Sequence, residues 1–213
     1  MKFLKSLFHP RPADATDDEP SLDGTRNQNP PALSLVDLVR EDFATYDRNP
    51  FEPGLWAVLV HRFGNWRMDI EPRLLRLPFS VTYGALYSAV KLSVGIDVPY
   101  STRVGRRLRI WHHGGIVLSA RSIGDDVHVR HNTTFGIVRR DREDDKPTIG
   151  NRVEVGTGAA ILGDIRVGDD TVIGANAVVI RDCEAHSTQV GVPAKPLRPA
   201  TRPAKTIHIV EGD

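Results

Sequence analysis

Residues 110–118 read IWHHGGIVL, so two imidazoles, His112 and His113, stand side by side between a tryptophan and two glycines in an otherwise aliphatic stretch. Imidazole titrates close to neutrality, which suits it to take a proton from a hydroxyl as that oxygen attacks a carbonyl. On extended backbone adjacent side chains point to opposite sides, so at most one of the pair faces a given cleft. His131, in VRHNTTFG, is the alternative base. The same rings also suit a plain role as hydrogen-bonded or solvated surface histidines. Cys183 is the single cysteine; it excludes an intrachain disulfide, and the expected setting is a reducing compartment, the cytoplasm.

The element that would position these groups is a repeat. From Ile149, steps of six reach Val155, Ile161, Val167, Ile173 and Val179, and glycine follows four of the six aliphatic residues. Val153, Ala159, Ile165, Thr171, Ala177 and Cys183 form a second beat four residues behind the first, which reads Cys183 as core filler. Upstream the beat passes Val104, Ile110 and Ile116, slips by one residue, and resumes at Ile123, Val129 and Phe135. Before Ile149 a charged excursion, RRDREDDKP, leaves the pattern. A period of six fits neither an isolated helix nor a plain strand, but it fits short strands joined by corners and stacked coil on coil, a hexapeptide β-helix.

Ahead of the repeat, Ser34 is a good N-cap for a helix in SLVDLVREDFATYD, where Leu35, Leu38, Val39, Asp42 and Phe43 share helical spacing. PGLWAVLVHRFGNWRM reads as a second helix with Trp56, Val60, Phe63 and Trp66 on one face. A third is expected from about Pro78 to Val94. The apolar stretch Leu74–Ile96 has the length of a membrane span, but Arg76, Pro78 and Lys91 interrupt it, so it reads as a buried helix. Residues 10–32 are rich in Pro, Asp, Asn and Gly and cannot repay their ordering entropy. The organisation expected is a disordered or linker tail at 1–33, a small α-helical domain at 34–97, the β-helix at 98–197 and a tail at 198–213.

With 28 basic and 27 acidic side chains among 213 residues, the net charge of +1 gives no global field for nucleic acid or an anionic membrane. The start, MKFLKSLFHP, has too short an apolar run for a secretory signal and is expected to fray, with weak membrane-surface binding the lesser reading.

The hexapeptide period, the closing VGVPAKPL and the segment GIDVPYSTRVGRRLRIWHHGGIVL resemble the serine O-acetyltransferase branch of the left-handed β-helix acyltransferases, nearest to its sugar and capsule O-acetyltransferases. The resemblance covers roughly residues 50–197. It implies a left-handed parallel β-helix, acetyl-CoA as co-substrate, no metal, and a homotrimer or a multiple of it with active sites between coils of neighbouring subunits.

The resemblance also implies roles. It places the catalytic base at His112, with Asp97 of GID retained in the catalytic set from the amino-acid site. An oxyanion donor falls near Gly136, and acetyl-CoA contacts fall at Gly136, Thr157, Gly158, Ala175 and Lys195 of PAK. The chain departs from the serine enzymes at two places. Trp111 stands where they carry the Asp of an Asp-His pair, and Asp145 and Lys146 stand where they carry an Arg-His pair before a proline. A loop without that Arg lacks a bidentate partner for a carboxylate. The acceptor expected is therefore a hydroxyl of a sugar or polysaccharide precursor, with Trp111 stacking on the sugar and Lys146 as a second contact.

Three alternatives remain at this point. They are serine O-acetylation in cysteine biosynthesis, a non-catalytic trimeric assembly module, and a metal-dependent hydratase using His112, His128 and His131. Against the last, the three-residue separation of His128 and His131 puts them on different faces of a coil with a beat of six.

Overall fold

The structure is a computed structural model and describes residues 2–10 and 20–197. The tail expected at 198–213 and residues 11–19 of the expected linker lie outside the described residues.

Among the described residues four helices come first: α1 (Lys2–Phe8), α2 (Leu35–Thr45), α3 (Pro53–Trp66) and α4 (Arg73–Val94), with a 3-10 turn at Arg67–Asp69 after α3. Ser34 caps α2 as expected, its Oγ accepting from the Asp37 amide at 3.2 Å. Pro53 opens α3, where its missing N–H costs nothing. Gly95 closes α4 in the left-handed conformation (φ 66°) that a side chain would resist.

Two expectations about α4 need correcting. It starts five residues ahead of Pro78, which is accommodated inside the helix. Nor is it buried: Tyr83 is its one fully buried side chain, while Leu74, Leu75, Leu77, Val81, Leu86 and Leu92 are exposed. One face packs on α3 and on the start of the coil, and among the described residues nothing covers the rest. Among the described residues no helix is long and apolar enough to cross a membrane. Trp56 likewise leaves the expected α3 face and stands about half exposed, while Val60 and Trp66 are buried.

From Ile96 the chain winds through five coils of a parallel β-solenoid. The first coil holds β1 (Ile96–Asp97), β2 (Arg103–Val104) and β3 (Arg109–Trp111). The second holds β4 (Ile116–Leu118), β5 (Ser122–Ile123) and β6 (His128–Arg130), and the third β7 (Thr134–Gly136), β8 (Thr148–Ile149) and β9 (Glu154–Val155). The fourth holds β10 (Ala160–Leu162), β11 (Arg166–Val167) and β12 (Val172–Ile173). The fifth has β13 (Val178–Val179), a single bridge from Cys183 to Val167, and β14 (Thr188–Val190). β15 (Lys195–Pro196) returns antiparallel on β14.

Every third strand stacks, giving three sheets: β1-β4-β7-β10-β13, β2-β5-β8-β11 and β3-β6-β9-β12-β14. In register, Val104, Ile123, Ile149 and Val167 lie one above another, as do Ile110, Val129, Val155 and Ile173. All of these side chains point inward and are buried, as the six-residue beat requires. The one-residue slip and the charged excursion fall at the same corner, between the first and second sheets, where added length bulges outward without disturbing the stack.

The helices close the first coil and share its core, for Tyr46, Leu55, Ala57 and Val58 join the inward aliphatic residues in one cluster. Composition alone makes residues 20–33 a tail, but the fold holds them by side-chain amides. Asn27 donates to Asp69 (2.8 Å), Gln28 to the Ser101 carbonyl (3.0 Å) and Asn29 to the Arg62 carbonyl (2.9 Å). These amides are buried. The segment is ordered by satisfying backbone groups at the α3 end and the first corner, not by an apolar face of its own.

Candidate active site

His112 directly follows β3, at the corner leading from the third sheet to the first, and is exposed. Its φ of 64° is left-handed, so the extended backbone assumed for the His112–His113 pair does not hold there. Gly114 and Gly115 continue the corner at φ 96° and 64°. His113 is exposed beside it.

One coil up, at the matching corner, stands His131. Its ring centroid lies 5.6 Å from that of His112, with the rings nearly perpendicular at 79°. One coil further, the Thr157 hydroxyl lies 2.9 Å from His131 Nε2 and donates to the His131 carbonyl at 3.0 Å. Gly158 follows with φ 71°, and a Cβ there would meet Asn176 Oδ1 at 2.2 Å. At the next corner Ala175 is exposed, and the Asn176 amide donates to the Thr157 carbonyl at 2.8 Å. Lys195 is exposed on β15, whose neighbour Ala194 donates to Val178 O at 2.8 Å. His112, His131, Thr157, Gly158 and Ala175 thus lie along one edge of the prism. Coils repeat at roughly 4.8 Å, so the edge from His112 to the last coil runs about 20 Å, lined by small residues.

The remaining candidates sit elsewhere. Gly136 ends β7 at the opposite edge of the first sheet, and a Cβ there would meet nothing within 4 Å. Lys146, at the foot of the excursion, lines an open cleft of about 710 Å³ with Pro20–Asp23, Thr25, Arg26, Glu143 and Asp144. Within one chain these two residues are not brought to His112.

Trp111 is not a free platform. Its ring carries the Arg109 guanidinium at 4.2 Å and meets His128 edge-on at 5.9 Å, and Arg109 is itself paired with Asp47 at 2.7 Å. Asp97 points outward from β1, and both its oxygens are engaged by α4. Tyr87 Oη donates to one and Lys91 Nζ lies 2.6 Å from the other. Burial, and then the adjoining carboxylate, push the Tyr87 hydroxyl above its ordinary value, so it stays a donor. The i, i+4 spacing of Tyr87 and Lys91 was visible in the sequence, but their shared target was not.

His128 pairs with Glu154 at 2.9 Å rather than joining the other two histidines. Among the described residues no group of three His, Cys, Asp or Glu side chains is placed to hold a metal ion.

The arrangement is an exposed imidazole at one end of an edge carrying small side chains, on a six-residue solenoid. Residues 146–181 match the bacterial transferase hexapeptide (six repeats) family. The chain is 38% identical over 170 residues to a serine acetyltransferase of Helicobacter pylori, covering 77% of this chain and 94% of that one. It is 35% identical over 144 residues to the Mycobacterium tuberculosis serine acetyltransferase, covering 67% of this chain and 60% of that one. Among solved structures, Neisseria gonorrhoeae serine acetyltransferase in complex with serine superposes with a TM-score of 0.61 at 28% identity, covering 76% of this chain and 68% of that chain.

These relatives overturn the expected closeness to sugar and capsule O-acetyltransferases, and with it the sugar acceptor. The excursion lacks that Arg but still offers cations: Arg140 and Lys146 have no acidic partner among the described residues, while Arg139 and Arg142 pair with Asp141 and Asp145. The absence of one bidentate cation was too narrow a ground for rejecting an amino-acid acceptor. By its repeat, its coil and its likeness to nearly the whole Helicobacter enzyme, the chain belongs to the hexapeptide-repeat acyltransferases of the serine acetyltransferase type.

Proposed function

We propose that the chain transfers an acetyl group from acetyl-CoA to the hydroxyl of L-serine, with His112 as general base. The observation that carries this reading is the similarity across 94% of the Helicobacter pylori serine acetyltransferase. His112 takes the hydroxyl proton as the serine oxygen attacks the thioester carbonyl. The C–S bond then breaks, and the imidazolium returns the proton to the departing CoA thiolate. The pantetheine arm runs along the edge past Thr157, Gly158 and Ala175, where small side chains let it approach the backbone, and Lys195 meets its phosphates.

Gly136 supplies the oxyanion donor and Lys146 meets the acceptor, together with Arg140 as cations for its carboxylate. Asp97, on the first coil, belongs to the catalytic set as a carboxylate held in place by Tyr87 and Lys91 of α4, and Trp111 walls the acceptor side. Because Gly136 and Lys146 lie on a different edge from His112, the site is completed between copies, in a trimer whose adjacent edges face each other.

The test is thiol release from acetyl-CoA with L-serine as acceptor. Turnover is expected with the wild-type chain, with a fall of about 10²–10⁴-fold in kcat for His112→Ala. Absence of serine-dependent thiol release, or full turnover by a folded His112→Ala, would defeat the proposal.

A further inference from the structure

The corner that carries His112 is laid directly on the junction of α4 and β1. The Ile116 amide donates to the Gly95 carbonyl at 3.0 Å, and a Cβ on Gly95 would meet Gly114 Cα at 3.2 Å and Gly115 N at 3.3 Å. Ile96 turns inward and is buried, so Asp97 turns outward, at the edge of the prism where that corner runs.

α4 grips this carboxylate with two side chains one turn apart on the same helix face. Tyr87 Oη donates to Asp97 Oδ1, and Lys91 Nζ lies 2.6 Å from Oδ2. Tyr87 is itself anchored. Its ring stacks on that of Tyr83 with centroids 5.6 Å apart, and the buried Tyr83 ring lies 4.4 Å from the Arg67 guanidinium. An ionised carboxylate has about four lone-pair positions on its two oxygens. α4 takes one on each, which bars the group from turning and leaves one on each for a further donor.

We propose that Tyr87 and Lys91 are positioning residues for acetyl transfer. They hold Asp97 in one orientation, with a free lone pair turned to the corner. There Asp97 accepts the ring N–H of His112 and so fixes the tautomer whose other nitrogen meets the acceptor hydroxyl. Without either donor the carboxylate can rotate away, and the cost falls on the chemical step rather than on binding of acetyl-CoA. This rests on the reading of His112 as base with Asp97 in its catalytic set.

The test is a mutant cycle on thiol release with L-serine. Asp97→Asn is expected to lower kcat roughly 10- to 100-fold, and Tyr87→Phe and Lys91→Met about 3- to 10-fold each, with KM for acetyl-CoA unchanged. Lys91→Arg, which keeps a cation, should lose less than Lys91→Met. In an Asp97→Asn background, Tyr87→Phe and Lys91→Met should cost less than about 1.5-fold more, because they act through a group already removed. Losses as large in that background as in the wild type, or losses in KM alone, overturn the proposal.

A second readout does not depend on turnover. In the intact chain at pH 8, the ¹⁵N spectrum of the His112 ring, assigned by its disappearance in His112→Ala, is expected to show one tautomer. The Tyr87→Phe, Lys91→Met double variant should show an averaged pair, with thermal unfolding as the check on folding. A single tautomer retained in a folded double variant, or an averaged pair already in the wild type, overturns the proposal. Full turnover by His112→Ala, or no turnover of L-serine at all, would instead defeat the functional reading, and the spectrum would still report on the grip of α4.

Discussion

Arg62 of α3 and Asp42 of α2 meet at 3.0 Å with neither side chain exposed to solvent at all. The same guanidinium donates to the carbonyls of Val104 at 2.8 Å and Gly105 at 2.6 Å, on the first coil. One buried cation therefore joins two helices to the mouth of the solenoid, with its donors spent on a fully buried carboxylate and two backbone carbonyls.

Removing one member strands the other. Arg62→Met is expected to cost about 3–5 kcal/mol, because the Asp42 carboxylate and two carbonyls lose their donor in a dry site. Arg62→Lys should recover little, since an ammonium cannot reproduce the planar fork. Urea unfolding of both variants checks this; a loss under about 1 kcal/mol for Arg62→Met would show that the junction does not depend on the pair.

His61, next to Arg62, is buried, and its Nε2 lies 2.8 Å from the Thr102 carbonyl. Burial first, and then the Arg62 charge, push its pKa from 6.5 down to about 3. The unfolded chain therefore binds one proton more than the folded chain between those values, so stability falls as pH drops through that window. The slope is up to about 1.4 kcal/mol per pH unit from this residue. Unfolding free energies at pH 7.5, 6 and 5 should show a shallower decline for His61→Gln than for the wild type, and equal slopes would refute the assignment.

Cys183 lies inside the last coil, bridging Val167, and burial raises its thiol pKa to about 11. At pH 7.5 almost none is thiolate, so a disulfide reagent should label it only as fast as the coil opens. Cys183→Ala should keep acetyl transfer within about twofold, as expected for a core filler. Fast labelling of the native protein with loss of activity would contradict this.

The repeat was legible because the aliphatic beat from Ile149 to Val179 reports a local rule, one inward side chain per strand, applied coil after coil; those six positions are all buried. Asp42 was visible as an acid in an apolar stripe, which is how a buried ion pair announces itself. Arg62 as its partner was not visible, because the two come together only when α3 packs on α2. The exposure of α4 was misread for a related reason. Apolar composition says a helix can be buried, whereas only the packing says whether anything covers it.

The site divides along the same line. The histidine pair at the end of β3, and the small residues that stack beside that corner on later coils, were present in the string of residues as a motif and a period. Contacts between coils were not: His112 and His131 are 19 residues apart, but His131 and Thr157 are 26 apart. The excursion lengthens the third coil without moving its corner, so equal steps in space are unequal steps in sequence. Which side chains meet along an edge is therefore set by the stacking register. That register is a property of strands hydrogen-bonding across coils, and no stretch of chain carries it alone.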